Sequence, residues 1–201
     1  MIELKNVSRT YGENCVLSDL SFSFPDKGVF CLSGASGCGK TTLLRLLAGL
    51  DLPSSGSVIS THRKVSVSFQ EPRLFPWLNS IDNINIVLSK DNKSLDIAKK
   101  WLQLLELTEA ENLFPDALSG GMQQRLSLAR ALAFGGDLVL LDEPFSALDT
   151  DTKKRIAPHV KEACKDALLI LVTHDEEDAA LLGGTPLVLE NGKLKAPFKN
   201  S

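Results

Sequence analysis

Residues 29–42 read Val29-Phe30-Cys31-Leu32-Ser33-Gly34-Ala35-Ser36-Gly37-Cys38-Gly39-Lys40-Thr41-Thr42. The first four form a continuous apolar run, as in strands buried on both faces of a parallel sheet. The run leads directly into glycine-rich chain, and the pattern beyond it predicts a helix from Lys40 to about Leu50, closed by Asp51-Leu52-Pro53. Between strand and helix, Gly34 to Thr41 fits the pattern G-x-x-x-x-G-K-[ST]. Glycines let the backbone curl until its N–H groups point inward as an anion nest. The following helix aims its positive pole at the same point. Lys40 then suits β- and γ-phosphate oxygens, and the Thr41 hydroxyl suits Mg²⁺.

Working outward from this stretch, Met1 to Lys5 alternates like a strand, and Leu20, Phe22 and Phe24 alternate with serines. Both patterns suggest half-buried strands. Val65, Val67 and Phe69 form a further strand that stops at Gln70. Residues 72–134 carry no strand-like run; Leu95, Ala98, Leu102 and Leu105 recur at helical spacing. Ser119 is placed to cap a helix running to about Phe134. Strands resume at Leu138–Leu141 and Ala167–Thr173. A closing hairpin follows at Leu187–Leu189, with Asn191-Gly192 as its turn. Buried strands alternating with helices predict an α/β fold with a parallel core.

The chain has 201 residues, 43% of them apolar and 23% charged, with a net charge of −3. These values fit a globular domain and exclude a disordered chain. The absence of a basic surplus argues against a nucleic-acid partner. No apolar run approaches the ~20 residues a bilayer span requires, and the N-terminus lacks the layout of a signal peptide. A cytoplasmic location is expected, with any membrane association made through a partner. Cys15, Cys31, Cys38 and Cys164 show no C-x-x-C spacing, so buried free thiols are expected rather than a zinc site.

Leu138-Val139-Leu140-Leu141-Asp142-Glu143 ends an apolar strand in two acids. Asp142 is placed to hold a metal, and Glu143 to accept a proton from an attacking water. Leu118-Ser119-Gly120-Gly121-Met122-Gln123-Gln124-Arg125 is a second helix start, with a serine cap and two bare glycines, and such an end favours anions. One chain thus carries two phosphate-binding ends. A head-to-tail pair of chains resolves this, with Ser119, Gly120 and Gly121 covering the γ-phosphate held by the other chain's Lys40 loop.

At this segment the chain resembles the ATP-binding-cassette (ABC) family, whose signature reads LSGGQ; Met122 departs from it. The resemblance implies a P-loop NTPase fold with a mixed core sheet, an N-terminal antiparallel β part and an inserted α-helical subdomain. Residues 1–201 then form one domain, with 1–71 and 135–201 as the nucleotide-binding core lobe and 72–134 as the inserted lobe. It implies that Gly34, Ala35, Ser36, Gly37, Cys38, Gly39, Lys40, Thr41 and Thr42 wrap the phosphates of ATP. Gln70 resembles the glutamine that senses Mg²⁺ and the attacking water. Asp149, in Ser146-Ala147-Leu148-Asp149, resembles the acid of a loop that crosses the dimer interface. His174 resembles the switch histidine that contacts the γ-phosphate. Tyr11 resembles the aromatic that stacks on adenine; a ring packing at a strand edge is the other reading.

Within that family, residues 70–84, with Leu74, Phe75, Trp77 and Leu78 in a loop punctuated by prolines, are similar to ATPase subunits of nitrate, sulfonate and taurine importers. The similarity implies a groove for a permease helix; simple anchoring of the helical lobe by Phe75 and Trp77 is the alternative. The implied assembly is a permease, two ATPase copies, identical or not, and indirectly a solute-binding protein, with the ATPase peripheral on the inner face of the cell membrane. The segment after the final hairpin is short, so no C-terminal regulatory domain is expected. A cytosolic ABC ATPase acting on ribosomes or DNA is the alternative function, and a binding module without hydrolysis is a third. Cys38, at a helix start, is either a reactive thiol or a small tolerated side chain.

Overall fold

The computed structural model describes residues 1–89 and 93–195. Strand β1 (Ile2–Tyr11) pairs antiparallel with β2 (Asn14–Phe24). Strand β3 (Gly28–Ser33) leads through the glycine loop into helix α1 (Lys40–Leu47). Strand β4 (Ser55–Ser60) then joins the other edge of β1, giving a sheet of order β2-β1-β4. Strand β5 (Val65–Ser68) precedes helices α2 (Ser80–Asn85), α3 (Ser94–Leu104) and α4 (Gly120–Phe134). These three helices pack on one another. The remainder alternates: β6 (Leu138–Asp142), α5 (Thr150–Ala163), β7 (Leu168–Val172), α6 (Glu176–Leu182), β8 (Thr185–Glu190) and β9 (Lys193–Lys195). The second sheet has the order β5-β6-β7-β3-β8-β9, with β9 antiparallel and the others parallel.

The period-2 rule of strands explains how this sheet builds two cores. Every residue of β6 and of β7 is buried. Val139, Leu141, Leu169 and Leu171 point to one face, where Leu126, Leu128 and Leu132 of α4 and Ile156 and Val160 of α5 meet them. Leu138, Leu140, Leu168 and Ile170 point to the other, against Leu43, Leu44 and Leu47 of α1 and Ile2, Leu4 and Val7 of β1. Helices thus cover one face, and α1 with the antiparallel sheet covers the other. At about 25 cal/mol per Å² of apolar surface removed from water, these two faces are the main source of stability.

Several boundaries differ from those expected. Helix α1 ends at Leu47, not near Leu50: the Gly49 N–H donates to the Leu46 carbonyl at 3.1 Å and the Leu50 N–H to that of Arg45 at 2.9 Å. This pair of bonds is the left-handed glycine stop of a Schellman turn. Strand β1 runs to Tyr11 because register shifts between Leu4 and Thr10 carry the ladder past the point where strict alternation fails. Helices α5 and α6 and strand β4 were not foreseen. Pro158 inside α5 reads as a breaker, and β4 is almost wholly exposed, so it carries no apolar pattern. The closing hairpin has its two-residue turn at Asn191-Gly192, with φ of 49° and 71°, the mirror-image turn that suits strand twist.

Candidate functional site

Ligands of open α/β sheets gather at the carboxyl ends of the parallel strands. Four strands of the core sheet deliver side chains there. The glycine loop follows β3, Gln70 follows β5, Asp142 ends β6 with Glu143 beyond it, and His174 lies just past β7. A cavity of about 460 Å³ is lined by Gly34, Ser36, Gly37, Gly39, Lys40, Thr41, Thr42, Gln70, Asp142, Glu143 and His174. Tyr11 and Val16, from the antiparallel sheet, form its far wall.

The loop is shaped by close approach. Gly39 has φ 105°, and a Cβ there would lie 2.8 Å from a methyl of Val16. A side chain is therefore excluded on both conformational and steric grounds. Lys40 turns back over the loop, its Nζ donating to the carbonyls of Gly34 at 2.8 Å and Ala35 at 2.9 Å. The Cys38 N–H closes a turn onto the Ala35 carbonyl at 3.3 Å. Its thiol is half-buried against the β1–α1 core and outside the cavity lining, so it packs as a small apolar group. Cys31 and Cys164 are buried, but Cys15, at the start of β2 beside the hairpin turn, is exposed, contrary to the expectation of buried thiols.

The acids occupy distinct environments. Asp142 is only 3% exposed, and burial pushes its carboxyl above the usual range; the Thr41 hydroxyl, donating to Oδ2 at 2.7 Å, opposes that shift. Glu143 holds φ 48°, and its Oε1 lies 3.3 Å from Nδ1 of the exposed His174 ring. Tyr11 is fixed twice. The Arg9 guanidinium carbon stacks 4.4 Å from its ring centroid, and its hydroxyl donates to Asp51 Oδ2 at 2.6 Å. Arg9 in turn pairs with Asp51 Oδ1 at 2.8 Å. The ring is both a packed strand-end aromatic and part of the cavity wall.

The site thus combines a nest and lysine for phosphates, a hydroxyl and carboxylate for a cation, an aromatic wall, and a carboxylate beside an imidazole. A family model described as "ABC transporter" matches residues 17–146. The chain belongs to the ABC transporter family. Among curated relatives, the aliphatic sulfonates import ATP-binding protein SsuB of Granulibacter bethesdensis is 44% identical over 98% of this chain and 82% of its own length. The corresponding SsuB 1 of Paracoccus denitrificans is 40% identical over 95% of this chain and 80% of its own. A solved dimeric ATP-binding cassette in a post-hydrolysis state, bound to ADP and Pi, superposes with a TM-score of 0.88, 29% identity and 97% coverage of both chains.

Not every residue marked on the ABC pattern reaches this cavity. Ser119, Gly120, Gly121 and Asp149 lie outside its lining. Ser119 caps α4, its hydroxyl accepting from the Met122 N–H at 3.3 Å. Asp149 caps α5, accepting from the Thr152 N–H at 2.9 Å and hydroxyl at 2.7 Å. The two glycines differ. Gly120 has open space around it, whereas a Cβ on Gly121 would lie 2.9 Å from the Ala147 carbonyl oxygen. In the loop after Gln70, Leu74 packs on the helix-side core, and the Phe75 backbone is gripped by the buried Asn83 amide. Trp77 is 69% exposed. Phe75 is therefore tied to the helical lobe through its backbone, while the largely exposed Trp77 ring lies against that of Phe75, with centroids 5.6 Å apart.

Sequence reasoning missed Val16, Arg9 and Asp51, which have no motif of their own. It also assigned no role to Gln124. A signal was present there: Gln124, Leu128 and Ala131 share the i, i+4, i+7 stripe of α4, all buried, so a glutamine sits at a core position.

Proposed function

We propose that the chain is the ATP-hydrolysing subunit of an importer for small organic anions of the aliphatic sulfonate type. Two copies work on the inner face of the membrane beneath a permease, and an external solute-binding protein supplies cargo. The observation that carries this is the single cavity joining the Lys40 loop, Asp142, Glu143, Gln70 and His174. The relatives' names, aliphatic sulfonates import ATP-binding proteins, support the cargo class and an import role, and the dimeric cassette supports the pairing of two chains. Among the described residues no helix is long and apolar enough to cross a membrane.

The donors present fit Mg²⁺. The Thr41 hydroxyl, the Asp142 carboxylate and the Gln70 side chain converge on one cavity, and hard oxygen donors suit that ion. Among the described residues no group of three His, Cys, Asp or Glu stands ready to hold an ion alone, so phosphate oxygens would complete the shell. When bound, the ion would offset charge on the β- and γ-phosphates. Tyr11 orients the adenine, its ring held by Arg9 and Asp51. Lys40 leaves the loop carbonyls for the phosphate oxygens. Glu143 orients the attacking water and takes its proton, and His174 holds the Glu143 carboxylate toward the γ-phosphate. The Ser119 end of α4 in the second copy then covers that phosphate with backbone N–H groups.

Replacing Glu143 with glutamine tests the assignment. Hydrolysis should fall about 10²–10⁴-fold, the range for a positioned base, while ATP-bound dimers accumulate on a sizing column. Undiminished turnover would remove Glu143 from the mechanism.

A further inference from the structure

Gln124 sits one turn into α4, is 4% exposed, and has no task in the steps above. Its side chain is fully engaged. Nε2 donates to the Glu143 carbonyl at 2.6 Å and to the Ser146 hydroxyl at 2.9 Å, while Oε1 accepts from the Ala147 N–H at 2.8 Å. All three partners lie in the turn that follows β6, the turn that aims Glu143 into the cavity.

The backbone of that turn explains why a grip is needed. Glu143 sits at φ 48°, a left-handed conformation that costs a non-glycine residue on the order of 1–3 kcal/mol. Such a conformation persists only where the surroundings over-determine it. On its amide side the Glu143 N–H donates to the Val172 carbonyl of β7 at 2.9 Å. On its carbonyl side the bonds come from Gln124, from the Ser146 hydroxyl at 3.0 Å, which Gln124 itself orients, and from the Ser146 N–H at 3.2 Å. β7 and α4 thus hold the residue from opposite ends, and a glutamine amide is the group that can donate to one carbonyl while accepting from the next N–H.

We infer that Gln124 is a positioning residue for the reaction, fixing the Glu143 peptide and hence the direction of its carboxylate. The inference rests on the ATPase function proposed above. It also places the catalytic turn under the control of the helix whose first turn carries Ser119 and Gly121. A displacement of α4 would move the base with it.

The test is a cycle in the full chain. Gln124→Met keeps length and volume and loses all three bonds; Gln124→Glu keeps the acceptor for Ala147 and loses the donor to Glu143. Turnover is divided by active sites counted with a fluorescent nucleotide, so loss of folded protein does not enter. Both variants should lower kcat about 10- to 100-fold, the effect of roughly 1 Å of misplacement, with the KM for ATP within about threefold, because groups that do not touch ATP leave its binding unaltered. In a Glu143→Gln background, Gln124→Met should lower the residual rate less than about twofold, since coupled residues are non-additive. Equal losses in both backgrounds, an unchanged kcat, or a raised KM alone would overturn the inference. Absence of Mg-ATP turnover in the unaltered chain would instead overturn the proposed function, and this with it.

Discussion

The two glycines that open α4 separate packing from recognition at the scale of one residue. Gly121 lies against the Ala147 carbonyl, so Gly121→Ala forces the turn after β6 away. Backbone cannot yield as a flexible side chain does, and overpacking of this kind costs about 1–3 kcal/mol. Gly120 has no such neighbour. Gly120→Ala should leave thermal unfolding within about 1 °C, or raise it slightly, because alanine favours a helix. It should nonetheless lower cooperative ATP hydrolysis if that end of α4 covers a second copy's nucleotide. Scanning calorimetry and ATP titration of the two variants would separate them; equal thermal losses would refute the distinction. From sequence the pair looked alike, two bare glycines in one motif. That the Lys40 loop and the Asp142-Glu143 pair would meet at one cavity was legible, because each follows or ends an apolar strand of the core sheet. Gln124 and Asp51 were not, because their partners are distant in sequence, and Arg9 was not, because no local pattern marks an arginine two residues before Tyr11.

Among the elements, strands buried on both faces were read correctly, since an unbroken apolar run leaves few alternatives. Helices α5 and α6 were missed, and the bond between them shows why. Lys153 of α5 is 7% exposed, and its Nζ reaches Asp175 at 2.6 Å and Asp178 at 2.8 Å. A charged residue on the inner face hides the apolar stripe from sequence reading. Burial works against the Lys153 charge, but the two carboxylates outweigh it and raise its pKa above the ordinary lysine value; the Lys153 bond in turn lowers that of Asp175 below the usual carboxylate range. The signs fix the pH window. A raised lysine contributes fully below its unfolded value and loses that contribution as pH rises through the folded one. A lowered aspartate contributes above its unfolded value and loses that as pH falls through the folded one. Lys153→Met should therefore destabilise by about 3 kcal/mol near neutrality, because it strands the buried Asp178. The gap should stay level from about pH 5 to 9 and shrink below pH 4. Denaturant midpoints at pH 7 and pH 3.5 would check it; a gap that widens in acid would contradict the clasp.

For the whole molecule, the site and the fold make opposing demands, and Asp142 is where they meet. The strand that carries it is buried along its length, so its carboxylate is desolvated for want of space rather than by local design. With Lys40 bonded to loop carbonyls, the Thr41 hydroxyl is the one hydrogen-bond donor to the Asp142 carboxylate among the described residues. Charge held in that setting lowers the stability of the ligand-free chain. Asp142→Asn retains the shape and the acceptor for Thr41 and removes the charge. The ligand-free variant should unfold about 2–4 °C higher, the shift expected for about 1 kcal/mol in a chain of this size. With Mg-ATP the order should reverse. A ligand at 100 times its Kd adds about 2.7 kcal/mol to the unaltered chain, and the variant forgoes most of it through loss of a cation ligand. Thermal unfolding of both proteins with and without Mg-ATP gives four numbers, and the prediction is that the two pairs cross. Parallel shifts would mean that Asp142 does not contribute to holding the cation, and a lower ligand-free midpoint for the variant would mean that its charge is stabilised by Lys40 across the cavity rather than strained by burial.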